Sequence, residues 1–198
     1  MKLLACPKCH QQLHLENKTL KCENNHCYDI SKRGYINLLL NPDKATNNPG
    51  DSKESLVARK AYLNKGYYDP ILDQVITCID EFKHQDDLSI LDLGCGEGYY
   101  TQGLKKHFEN SDIYGLDISK FAIDMATRYR KDVTWLVGNS KNIPILDHSL
   151  DFICALFTVV NQDELKRALK EDGYIVHVTA NNQHLIEIKE LIYDEIKV

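Results

Sequence analysis

The chain has 198 residues, 43% of them hydrophobic, and a formal net charge of −5. That length is enough for one α/β core and a small appended module. No apolar run reaches about 18 residues and no charged-apolar-small leader opens the chain, so the expectation is a cytoplasmic protein with neither membrane span nor signal peptide.

The first pattern in chain order is Cys6-Pro7-Lys8-Cys9, followed by Cys22 and His26. The spacing Cys-x2-Cys…Cys-x3-His predicts a structural zinc site, because two short knuckles each bring a pair of ligands to one tetrahedral ion. Four protein ligands leave no open position for water. The ion should therefore hold together a segment too short to bury a core, and not catalyse. Cys27 is the other candidate for fourth ligand, although side chains of adjacent residues usually diverge, and His26 is preferred. Cys78, Cys95 and Cys154 lie in apolar or glycine-rich contexts and are expected as buried small residues. Residues 1–40 carry six Lys or Arg against three acids, so this segment is basic while the remainder is acidic, an asymmetry that fits an RNA-guiding module on a catalytic domain.

The apolar-aromatic run Tyr28 to Leu40 is expected either to pair with the ribbon or to dock it onto the larger domain. Residues 41–52, rich in Asn, Pro, Asp and Gly, predict a loop. Ser52 caps a helix with an apolar face through Leu56, Ala61 and Leu63, and Asp69-Pro70 starts another carrying Leu72, Val75, Ile76 and Ile79. Beyond them the prediction alternates: strand 89–93, helix 98–108, strand 112–117, helix 119–129, strands 133–137 and 150–156, helix 162–169, strand 173–180 and helix 183–196. Such alternation builds a parallel, doubly wound sheet. The organisation expected is a zinc ribbon over 1–40, a linker with helices over 41–84, and the α/β domain over 85–198.

The stretch Ile90-Leu91-Asp92-Leu93-Gly94-Cys95-Gly96-Glu97-Gly98-Tyr99-Tyr100-Thr101 runs from an apolar strand through alternate glycines into a helix. Glycines at 94, 96 and 98 let the backbone turn at positive φ and approach a ligand without a Cβ in the way. A dinucleotide fingerprint needs Gly-x-Gly-x-x-Gly. Here the glycines are flanked by Asp92 and Glu97, which line a phosphate site poorly and suit a cation. Asp117, at the end of the next strand, is positioned for ribose hydroxyls. Asn139 or Ser140, after the third strand, is the candidate for hydrogen bonding an adenine.

These residues resemble a class I S-adenosylmethionine-dependent methyltransferase, with its Rossmann-like sheet. Taken with Cys-Pro-x-Cys, Cys-x3-His, Tyr-Asp-Ile-Ser-x-x-Gly-Tyr-Ile-Asn-Leu-Leu and Pro-Gly-Asp-Ser at 49–52, the chain closely resembles the 23S ribosomal RNA (guanine-N1-)-methyltransferases, which include a macrolide (tylosin) resistance enzyme. The resemblance implies methyl transfer to N1 of a guanine in a large-subunit rRNA hairpin near the peptide exit tunnel, with the zinc domain helping to recognise RNA. It implies zinc on Cys6, Cys9, Cys22 and His26, and cofactor contacts from Tyr68, Gly96, Glu97 and His184, to which the residues themselves add Asp92, Gly94 and Asp117. Tyr68 and His184 rest on the resemblance alone. No catalytic residue is assigned: Asp51 is a candidate acceptor for the guanine N1 proton, but a solvated turn aspartate is the preferred reading.

Two departures stand out. Ala155-Leu156-Phe157-Thr158-Val159-Val160-Asn161 lacks the proline-containing turn expected there at the edge of the substrate pocket. The chain also ends at Val198, where the family continues for a further strand pair, so the sheet is expected to be incomplete at its C-terminal edge. A second copy of the chain is one way to cover that edge. The rival readings are a catalytically silent zinc-ribbon RNA-binding relative, and a methyltransferase acting on a small molecule or protein.

Overall fold

The computed structural model describes residues 1–40, 50–181, 183–184 and 186–192. Most of the expected loop 41–52 and the end of the expected helix 183–196 lie outside the described residues.

The first 30 residues form an antiparallel three-stranded sheet, β1 (His14–Glu16), β2 (Thr19–Lys21) and β3 (Cys27–Asp29). Asn17, in the turn between β1 and β2, takes φ of 59°, a left-handed conformation that Asn tolerates better than most residues. The run 28–40 then serves both expected purposes. Its start pairs with the ribbon through β3, and β4 (Ile36–Asn37) joins the large sheet, Ile36 opposite Leu136.

That second sheet has the order β4-β7-β6-β5-β8-β9, with β5 (Ser89–Leu93), β6 (Asp112–Asp117), β7 (Thr134–Val137), β8 (Leu150–Leu156) and β9 (Leu169–Val178). Every pairing in it is parallel. A parallel sheet must be covered on both faces, and the period of two along each strand sorts its residues between the covers. Ile90, Ile113, Trp135 and Phe152 pack with Val75 and Ile79 of α2 (Asp69–Phe82), Leu104 of α3 (Tyr99–His107) and Ile123 of α4 (Lys120–Ala126). Leu91, Tyr114, Leu136 and Ile153 pack on the opposite face with Leu165 of α5 (Gln162–Ala168), and with Leu4, Leu13 and Leu20 of the ribbon.

The zinc module is therefore one of the sheet's covering layers. Leu4 bridges Ile145, Ala5 N–H donates to Pro144 O at 3.0 Å, and Asn142 Nδ2 donates to Pro7 O at 2.8 Å. Arg167 of α5 holds that docking loop in shape by donating to the carbonyls of Ile143 and Ile145 and pairing with Glu164 and Asp147.

Boundaries moved at α4 and β9, and one helix buries a narrower face than expected. The helix expected over 119–129 is α4 alone, ending in turns after Ala126. The strand expected over 173–180 starts at Leu169, directly after α5. In α1 (Lys53–Leu63), capped by Ser52, the buried face is Leu56 and Leu63, whereas Ala61 is exposed because it lies off that stripe. Among the described residues no helix is long and apolar enough to cross a membrane.

Candidate cofactor cavity and metal centre

The metal centre forms where two knuckles meet. In the first, His10 N–H donates to Cys6 O at 2.8 Å, and in the second Asn25 N–H donates to Cys22 O at 2.9 Å. His10 and Asn25 take φ of 57° and 60°, turning each knuckle sharply enough to aim its ligand pair inward. Cys6, Cys9, Cys22 and His26 bring three Sγ atoms and Nδ1 within 4.8 Å of one another. Cys9 Sγ to Cys22 Sγ is 3.6 Å, and His26 Nδ1 lies 3.4, 3.5 and 3.5 Å from Cys6, Cys9 and Cys22. A tetrahedron with Zn–S near 2.3 Å and Zn–N near 2.0–2.1 Å has edges of about 3.5–3.8 Å, so the donor set fits zinc in both chemistry and size. Cys27 is excluded by direction, since its exposed Sγ faces Asn25 O at 3.4 Å. Tyr28 OH lies 3.3 Å from Cys6 Sγ, a polar neighbour for one ligand.

At the carboxyl ends of β5 and β6 the chain makes a second site. Gly94, Gly96 and Gly98 take φ of 74°, 55° and 86°. Gly94 and Cys95 N–H both donate to Leu116 O, at 2.8 and 3.0 Å, which curls the loop over the end of β6. There Asp117 anchors it, accepting from Gly96 N–H at 2.9 Å and Ser119 N–H at 2.7 Å. A Cβ on Gly96 would meet nothing nearer than an Arg59 nitrogen at 4.0 Å. That glycine therefore presents bare backbone to open space, a cradle for a close-fitting ligand.

Three carboxylates converge on this loop. Asp92 is 1% exposed and accepts from Thr101 Oγ1 at 2.5 Å, and burial pushes its carboxyl up to about 7, with Asp117 and Glu97 adding to the effect. Glu97 is 3% exposed, burial raises it too, and its Oε1 has no hydrogen-bond partner among the described residues. Burial likewise raises Asp117, against the two amides it accepts from. Arg59 and Lys60 oppose the rise of Glu97, and Arg59 that of Asp117, without cancelling either. A cationic ligand adds the counter-charge that three raised carboxyls favour.

The cavity in front of them has a volume of about 560 Å³, and Tyr68, Asp92, Gly94, Gly96, Glu97, Asp117 and His184 all line it. Asn139 and Ser140 do not; Asn139 Oδ1 instead accepts from Lys141 N–H at 3.0 Å. Asp51 does line the cavity, but Arg59 pairs with it at 2.5 Å. Sequence reasoning missed Arg59, Phe157 and Thr158, which also line it. Arg59 had a signal, because it sits at i+3 from Leu56 and four residues before Leu63, a charge on the helix's apolar stripe. Phe157 and Thr158 had none beyond the missing proline turn.

Two family models match the chain: one described as a methyltransferase domain over residues 90–173, and one described as RlmA, N-terminal, a zinc ribbon, over residues 4–45. The chain is 30% identical to "Putative 23S rRNA (guanine-N(1)-)-methyltransferase YxjB" of Bacillus subtilis, over 98% of this chain and 70% of that one. It is 28% identical to the 23S rRNA (guanine(748)-N(1))-methyltransferase of Streptomyces fradiae, over 97% of this chain and 68% of that one. Among solved structures, the plantazolicin methyltransferase BpumL superposes with a TM-score of 0.58 at 20% identity, covering 72% of this chain and 59% of that one. A SAM-dependent methyltransferase from Aquifex aeolicus gives 0.50 at 24%, over 64% and 68%. At those identities the structural likeness establishes the fold.

Proposed function

The chain belongs to the 23S rRNA (guanine-N1-)-methyltransferase family, and from that premise we propose that it transfers the methyl group of S-adenosylmethionine to N1 of a guanine in 23S ribosomal RNA. The observation that carries the reading is the meeting of two buried carboxylates, Asp92 and Glu97, the partly buried Asp117 and a bare Gly96 backbone in one cavity.

S-adenosylmethionine supplies an already activated methyl group on a sulfonium, so neither a covalent nucleophile nor a catalytic metal is required of the protein. Asp92 and Glu97 provide negative charge for the ammonium and sulfonium. Asp117 keeps lone pairs for the ribose hydroxyls while its two amide bonds hold it still. Tyr68 and His184, which also line the cavity, complete the set of cofactor contacts. With the donor held this way, the remaining task is to bring guanine N1 in line with the S–CH3 bond and exclude water. The basic ribbon, docked on the same sheet, is a rigid support for RNA recognition, and the zinc is structural.

The test is calorimetric titration of the zinc-loaded chain with S-adenosylmethionine, followed by transfer of a labelled methyl group to unmodified 23S rRNA. N1-methylguanine in the digested RNA is the expected product. Labelling of a small molecule or protein in preference to rRNA would replace the substrate assignment, and binding without transfer would make the chain a silent relative.

A further inference from the structure

The cofactor proposed for the large cavity is a zwitterion at its methionine end. Asp92, Glu97 and Asp117 suit its ammonium and sulfonium, but they repel its own carboxylate. That group needs a separate cationic partner, and Arg59 of α1 lines the same cavity.

The guanidinium is held by one side. Its Nη2 donates to Asp51 Oδ2 at 2.5 Å, while its Nη1 is the atom nearest to where a Cβ on Gly96 would stand, at 4.0 Å. One nitrogen of the fork is thus engaged and the other overlies bare backbone. A guanidinium carries several N–H donors in one plane, so Asp51 leaves donors for a second carboxylate that lies over Gly96. Asp51 is itself placed by the packing of its loop. Gly50 takes φ of 94°, and a Cβ there would lie 3.0 Å from Ser119 Cβ, which seats the loop on the start of α4. Ser52 then caps α1 by accepting from Ser55 N–H at 3.1 Å, and Leu56 packs with Ala122 and Met125 of α4. The side chains of Arg59 and Asp51 are 46% and 47% exposed. A pair so open to water adds little to stability. Its effect is to fix the direction of a long side chain.

We infer that Arg59 recognises the carboxylate of S-adenosylmethionine over Gly96, and that Asp51 is the positioning residue that aims it. The inference rests on the proposed use of that cofactor, and names the side chain that tells it from an analogue without a carboxylate. It also gives the Pro-Gly-Asp-Ser segment a role other than proton acceptance, since the Asp51 carboxylate is engaged with Arg59.

The test is calorimetric titration of the zinc-loaded full chain with two ligands: S-adenosylmethionine, and decarboxylated S-adenosylmethionine, which keeps the sulfonium, the amine and the nucleoside. Arg59→Leu should weaken S-adenosylmethionine about 10- to 100-fold, the loss of a charge-assisted bond to a carboxylate. Affinity for the decarboxylated analogue should hold or rise, because Glu97 and Asp117 lose a cation that opposed them. The ratio of the two affinities therefore falls, whereas a general loosening of the cavity weakens both ligands alike. Arg59→Lys should keep part of the ratio, and Asp51→Ala should lower it in the same direction by a smaller factor. An unchanged ratio in Arg59→Leu, or equal loss of both ligands, overturns the inference. Loss of methyl transfer to 23S rRNA in Asp51→Ala at saturating cofactor, with the ratio unchanged, overturns the positioning role and makes Asp51 the proton acceptor. Binding of neither ligand by the wild type removes the cofactor reading itself, and the inference with it.

Discussion

Gly94 and Thr158 approach so closely that a Cβ on Gly94 would lie 2.3 Å from Thr158 Oγ1 and 2.7 Å from Thr158 Cβ. The loop leaving β8 is thus seated directly on the loop leaving β5, and both walls of the cofactor cavity depend on that contact.

Gly94→Ala should therefore fail for two reasons, the clash and the φ of 74°. The expected outcome is a loss of about 1–3 kcal/mol in stability by urea denaturation and a fall of at least about tenfold in affinity for S-adenosylmethionine by calorimetry. Adding Thr158→Ala should restore only part of either, because Thr158 Cβ is itself too close. An alanine variant with unchanged affinity would mean that the β8 loop yields freely.

Asp92 links the same cavity to pH. Its carboxyl titrates near 7 when folded, well above the ordinary 3.8. Between those values the folded state keeps a proton that the unfolded chain has released, so this group's contribution to stability falls as pH rises from about 4 to 7 and is flat above. Asp92→Asn removes the penalty. Its Tm relative to wild type should rise between pH 5 and pH 8 without cofactor, while its affinity for S-adenosylmethionine drops. In the wild type, affinity should grow about tenfold per pH unit below 7, with proton release visible as a buffer-dependent calorimetric enthalpy. A pH-independent affinity would show that the carboxylate plays no part in holding the cation.

Zinc removal should reach far beyond the ribbon. Leu4, Leu13 and Leu20 share one core with Leu91, Leu136 and Ile153 of the sheet, so losing the ion uncovers a face of the catalytic domain. Trp135, the single tryptophan, is 2% exposed on the opposite face and reports on the sheet alone. Chelation, or Cys9→Ser, should lower the Tm read from Trp135 fluorescence by about 10 °C, the shift given by a loss of about 3–5 kcal/mol in a chain of this size. An unchanged Trp135 transition would make the ribbon an independent appendage.

The zinc donor set, the glycine loop with its flanking acids, and the βα alternation were legible along the chain because each depends on residues close in sequence. Knuckle spacing sets which side chains converge on an ion, and the period of two along a parallel strand sets which face a residue occupies. The ends of elements were less legible. Ala126 ends α4 although the sequence reads as helix further on, and Leu169 passes straight from helix to strand. Neither candidate for the adenine contact, Asn139 or Ser140, is among the cavity's lining residues, and Asn139 Oδ1 accepts from Lys141 N–H within the loop after β7.

What the sequence by itself determined was chemistry: which atoms can hold zinc, and where a cationic cofactor finds carboxylates beside a flexible backbone. Tertiary structure alone decided that the ribbon covers the sheet, that Thr158 is seated against Gly94, and that Phe157 lines the cofactor cavity beside Tyr68. These follow from contacts between segments more than 30 residues apart, such as Leu4 with Ile145, Gly94 with Thr158 and Tyr68 with Phe157. Local propensity carries no information about such pairs, because their stabilisation exists only once the sheet has closed between them.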